Sequence, residues 1–88
     1  MLRAQEIPYE DPHSRFHFQR PFNATQAALS TFGVETLLGC LALLQHLARE
    51  RQGLHYLRVF EDPANTAGPN LWLLEDALYV TALLPSDY

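Results

Sequence analysis

The segment Val34 to Arg51, VETLLGCLALLQHLARER, constrains the fold more than any other part of this chain. At about 100° per residue, Val34, Leu37, Leu41, Leu44 and Ala48 fall on one stripe of a helix. Cys40 and Leu47 widen the stripe, while Glu35, Gly39, His46, Arg49 and Glu50 gather opposite. Leu38 and Leu43 lie on the flanks, so the apolar arc is broader than that of an ordinary surface helix. Such a helix is central to its domain or carries an oligomer contact. Fully burying a leucine contributes roughly 1.5–3 kcal/mol. The leucines of this one helix are therefore a large share of what an 88-residue chain can gain. Glu35 suits the positive end of the helix dipole, and Arg49, Arg51 and Gly53 are stop signals.

On the N-terminal side, residues 1–14 carry Pro8, Pro12 and the acids Glu6, Glu10 and Asp11, and read as an irregular arm that Ile7 and Tyr9 could pin down. Residues 15–88 read as a single α+β domain. In RFHFQRPF, residues 15–22, Phe16 and Phe18 alternate with Arg15, His17 and Arg20. That period of two predicts a short edge strand with both rings inward, ended by Pro21. Asn23 with Gln26 makes a capping-box pattern, and Phe22 stands where a hydrophobic staple would. A short helix from Ala24 to about Thr31 follows, broken from the long one at Gly33.

After Gly53 the period changes to two. LHYLRVF, residues 54–60, LWLLE, residues 71–75, and LYVTALL, residues 78–84, read as three strands. The proline- and asparagine-bearing loop 63–70 separates the first from a hairpin turning at Asp76-Ala77. The expected fold is thus a small antiparallel sheet of three C-terminal strands, with room for a fourth N-terminal edge strand, packed on one long amphipathic helix preceded by a short one. If Glu75 pairs with Leu78, then Leu71, Leu73, Leu78, Val80, Ala82 and Leu84 share one face, and Trp72, Leu74, Tyr79, Thr81 and Leu83 the other. Both faces are apolar, whereas a half-solvated antiparallel sheet shows one polar face. The aliphatic face belongs against the helix. The aromatic face needs cover from the arm or from another protein, and Trp and Tyr are common interface anchors.

Chemistry is sparse. A net charge of −4 disfavours sequence-independent nucleic-acid binding and contact with anionic lipid. No apolar run reaches the length of about 20 residues that a spanning helix needs, and no secretory signal is visible. The lone Cys40 excludes an intramolecular disulfide, and a reducing cytoplasm is its natural compartment. His13 and His17 have a zinc-ligand spacing only on a helix, which Pro12 and the alternating phenylalanines oppose. Cys40 and His46 point about 120° apart on the helix, so they do not converge. The glycines are scattered, without a phosphate loop. No metal, cofactor or catalytic constellation is expected.

Two acid pairs, Glu61-Asp62 and Glu75-Asp76, close strands and could converge to receive a basic surface, although charges at turns are more often simply solvated. The expected function is a small non-enzymatic protein–protein interaction module: an adaptor, an accessory subunit, an inhibitor of a basic partner, or a homodimer. Its candidate surface comprises Trp72, Leu74, Tyr79, Leu38 and Leu43, rimmed by the four acids. The alternative is a single-stranded nucleic-acid module in which Phe16 and Phe18 stack bases beside Arg15 and Arg20.

Overall fold

A computed structural model of the chain describes residues 2–5 and 15–88. The long helix, α2 (Val34–Arg51), has the span that its periodicity predicts. Leu37, Cys40, Leu44 and Ala48 are buried, and Leu41 and Leu47 are half-buried beside them. Val34 stands at the exposed start of the helix, outside the core stripe. A left-handed Gln52 ends α2, and its N–H and that of Gly53 both reach the carbonyl of Ala48. The short helix, α1 (Gln26–Phe32), meets α2 at Gly33, which has φ +82° and caps both helices. The axes turn by 100° there, a change that a residue free to take positive φ allows.

Five strands form one mixed sheet in the order β1-β3-β4-β5-β2. The C-terminal three, β3 (Leu57–Glu61), β4 (Leu71–Glu75) and β5 (Val80–Leu83), are antiparallel neighbours, as their alternation predicts. β1 (Arg3–Ala4) adds to β3 antiparallel, and β2 (Phe22–Ala24) adds to β5 in parallel. Both helices pack on one face, against Phe60, Leu71, Leu73, Val80 and Ala82. A radius of gyration of 12.3 Å is close to the value of about 12 Å for a compact chain of this length.

The N-terminal third departs from the sequence reading. Residues 15–22 do not run as a strand. Phe16 makes one isolated antiparallel bridge to Leu54, and the chain then turns at Phe18 with φ +60°. The sheet contribution begins at Phe22, because residues 22–24 pair with Val80, Thr81 and Ala82. That pairing holds Asn23 in a strand, so the helix cap moves to Thr25, whose Oγ1 accepts the Ala28 N–H at 3.1 Å. Arg3 and Ala4, read as part of the arm, belong to the sheet. Ile7, Tyr9 and His13 lie outside the described residues.

The hairpin also differs in its turn. Glu75 pairs with Val80, two residues later than Leu78. A shift of two preserves the face of every strand residue, so the division into aliphatic and aromatic faces holds within the strands, whereas Leu78 and Tyr79 move into the loop and are exposed, Leu78 leaving the face against the helix. The four-residue loop follows from Asp76, whose Oδ1 accepts the N–H groups of Leu78 at 2.7 Å and Tyr79 at 2.8 Å. Those two bonds, Leu78 first, hold the Asp76 carboxyl below its usual range.

Candidate docking surface

The two faces of the sheet have different fates. On the helix side, alternate residues of β3, β4 and β5 are buried. On the other side lie Leu57 and Val59 of β3, Trp72 and Leu74 of β4, and Thr81 and Leu83 of β5. The register sets them in two adjacent rows: Val59–Trp72–Leu83 and Leu57–Leu74–Thr81. All are half-buried except Leu83, which is buried. Among the described residues no helix of more than one turn packs on this face. The C-terminal 3-10 turn (Pro85–Asp87) brings Tyr88 edge-on to Trp72, with ring centroids 5.7 Å apart. Asp87 holds that turn in place: its Oδ2 accepts the Leu84 N–H at 2.9 Å and the Thr25 hydroxyl at 2.7 Å. At one corner of the face Arg3 and Glu61 pair at 3.6 Å, so the charge there is balanced.

The other residues of the expected surface are placed as follows. Tyr79 is 42% exposed and sits at the end of the hairpin loop, level with the edge of the aromatic face. Leu38 and Leu43 are 51% and 41% exposed, on opposite flanks of α2 and on the layer remote from Trp72. They do not join Trp72 and Leu74 in one patch.

The four acids do not converge. Glu61 ends β3 where β4 begins, and Glu75 ends β4 beside Tyr56, about 15 Å away along the strands. They also project to opposite faces, because Glu61 shares the side of Val59 and Glu75 the side of Leu73. Asp62 and Asp76 serve their own loops by accepting backbone N–H groups two and three residues on. Among the described residues no three metal-ligating side chains come together.

Glu75 has a different task. Its carboxylate, 6% exposed, accepts the N–H of Phe18 at 2.8 Å and Arg20 Nε at 3.0 Å. The carbonyl of Phe18 accepts from Gln45 Nε2 at 2.8 Å. Both backbone groups of a residue in an unfavourable φ region are thereby held by side chains, one from β4 and one from α2. Phe18 itself is sealed in the core.

That geometry removes the platform for stacking bases. Phe18 has no exposed ring face, Phe16 is half-buried edge-on to Tyr56, and Arg20 is engaged by Glu75. Arg58 is buried on the helix side of β3, so it adds nothing to a basic surface with Arg15. His17 and His55 are exposed. Cys40 is buried, and desolvation pushes its thiol up to about 11, so it is neutral at pH 7.

Comparison with known proteins returns no matching family model, no similar curated protein and no similar solved structure. The surface alone therefore bears on function. What sequence reading did not assign to it was the contribution of β3. Leu57 and Val59 complete the face, and the alternation of LHYLRVF carries that information once the register is known. No single helix among the described residues is long and apolar enough to cross a membrane.

Proposed function

We propose that this chain is a small non-enzymatic interaction module that docks through the helix-free face of its sheet. The observation that carries this reading is the pair of largely apolar rows centred on Trp72 and Leu74, on which no described helix longer than one turn packs and where Tyr88 stands edge-on to Trp72. A sheet face meant for water alternates to polar residues, whereas this one carries Leu57, Val59, Trp72, Leu74 and Leu83 with Thr81 as the one polar member of its two rows and Arg3, Glu61 and Asn23 toward its margins. The simplest partner is a second copy of the chain. Among the described residues the face is flanked by the balanced Arg3–Glu61 pair and by Asp87, which offer little to a strongly basic partner, and the dispersal of the four acids removes the acidic rim such a partner would need. Two such faces meeting across a two-fold axis would bury both tryptophans in one apolar layer, as in a sandwich of two sheets. A reducing compartment, with the buried thiol of Cys40 left free, fits the same reading.

Sedimentation equilibrium of the wild-type chain and of Trp72→Ala tests the proposal. The wild type is expected to approach the dimer mass at about 100 μM. The variant should remain folded and monomeric. A wild-type monomer at all concentrations, together with loss of folding in Trp72→Ala, would make Trp72 a core residue and end the proposal.

A further inference from the structure

The outer face of α2 carries two charges that make no ion pair among the described residues, Glu35 and Arg49. Glu50, next to Arg49 in sequence, is engaged by His46. Glu35 lies seven residues before Ala42 and Arg49 seven after it, so the three stand within about 40° of one line along the helix. All three are exposed.

This spacing is self-complementary under a two-fold axis. When a second α2 is turned by half a rotation about an axis perpendicular to the helix at Ala42, Glu35 of each copy comes opposite Arg49 of the other. The two pairs then stand at the ends of a contact about 21 Å long. Parallel pairing in register would instead set Glu35 against Glu35 and Arg49 against Arg49. The middle of the face allows a close approach. Gly39 and Ala42 are small and exposed, and a Cβ added at Gly39 would meet nothing within 4 Å. Leu38 and Leu43 flank them, 51% and 41% exposed. Helices pack about 8–10 Å apart, nearest where the facing residues are small, which brings the flanking leucines of each copy against the other helix.

We propose that α2 is a second self-contact of this chain: two copies meet antiparallel across its exposed face, with Ala42 at the two-fold axis, a Glu35–Arg49 pair at each end, and Leu38 and Leu43 enclosed between them. Burial of the leucines supplies the attraction, and the charges fix direction and register. The face lies on the layer remote from Trp72, so this contact stands independently of the one between sheet faces. A single helix face covers less than the roughly 800 Å² per partner of a standard interface, so the contact forms at about 1 mM rather than at the lower concentrations of the sheet contact.

Sedimentation equilibrium from about 0.1 to 2 mM tests it on the wild type, Glu35→Arg, Arg49→Glu, the double variant, and an equimolar mixture of the two single variants. The wild-type mass should keep rising over that range. Each single variant should need roughly tenfold more protein for the same rise, because like charges then face each other at both ends. The double variant should regain wild-type association. The mixture should regain it too, since every charge of one variant then meets its opposite on the other. General repulsion predicts a different order: Glu35→Arg replaces one negative charge by one positive, takes the net charge from −4 to −2, and would associate more readily. A wild-type mass that stays constant above about 0.1 mM, single variants that associate like the wild type, or a mixture that associates no better than its components would each overturn the proposal. Failure of the sheet contact lowers only the mass from which the rise begins. Unfolded variants would not restore each other, so the mixture separates loss of contact from loss of folding.

Discussion

Glu75 shows most clearly what a single side chain does here. It reads as half of an acid pair at a strand end, yet it is buried and anchors a turn that begins more than fifty residues earlier. Nothing local to LWLLED announces this, because its partners are the backbone of Phe18 and the side chain of Arg20. Glu75→Ala leaves the Phe18 N–H buried without its acceptor and is predicted to destabilise the fold by about 2–4 kcal/mol. Glu75→Gln retains an acceptor oxygen and is predicted to cost less, and urea unfolding of both variants checks the order. Cys40 gives a second test at this scale, with a sign that follows from its environment. Burial raises its folded pKa from 9.0 to about 11, so the neutral thiol is favoured in the folded state. Its contribution to stability is fully present below about pH 9 and is lost as pH rises through about 11. Cys40→Val should therefore unfold less readily than wild type on going from pH 8 to pH 11. An equal decline in both chains would show that the thiol has no part in it.

Among elements, those written by local periodicity are the ones the sequence makes legible. α2 is one, since eighteen residues of apolar repeat with Gly33 before and Gly53 after leave little freedom of span. β4 and β5 are legible in their faces, though Asp76 sets a longer turn than the residue count alone implies. β2 is not legible, because Phe22–Ala24 is held by parallel pairing to a strand that lies far along the chain. Its capture of Asn23 displaced the expected helix cap to Thr25. β1, only two residues long, has no periodicity to read. The two glycines of the helical layer separate conformational from packing roles. Gly33 holds φ +82° with free space around it, so Gly33→Ala is predicted to cost about 1–2 kcal/mol through backbone strain alone. Gly39 sits in an ordinary helix with free space around it, so Gly39→Ala is predicted to stabilise by about 0.5–1 kcal/mol. Thermal unfolding of the two variants should move in opposite directions.

At the scale of the molecule, the described residues form one layer of helices over one side of a five-stranded sheet. The excess of apolar surface was visible in the sequence as a hairpin greasy on both faces. Its division was not, because helix-flank residues Leu38 and Leu43 and sheet residues Trp72 and Leu74 lie on different layers. An association through the sheet face joins two chains of net charge −4 by an almost uncharged surface. Salt then screens the mutual repulsion without weakening the contact, so raising sodium chloride from about 50 to 500 mM should leave the dimer intact or strengthen it. A contact built on charge would weaken. Trp72 is the chain's one tryptophan and stands at the centre of the proposed interface, so it reports on that interface directly. The deciding measurement is acrylamide quenching of its emission, excited at 295 nm, as protein concentration rises from about 1 to 200 μM alongside the sedimentation mass. The docking account predicts that quenching falls as the mass approaches the dimer. Quenching that stays constant while the mass doubles, or a monomer throughout that range, would contradict it.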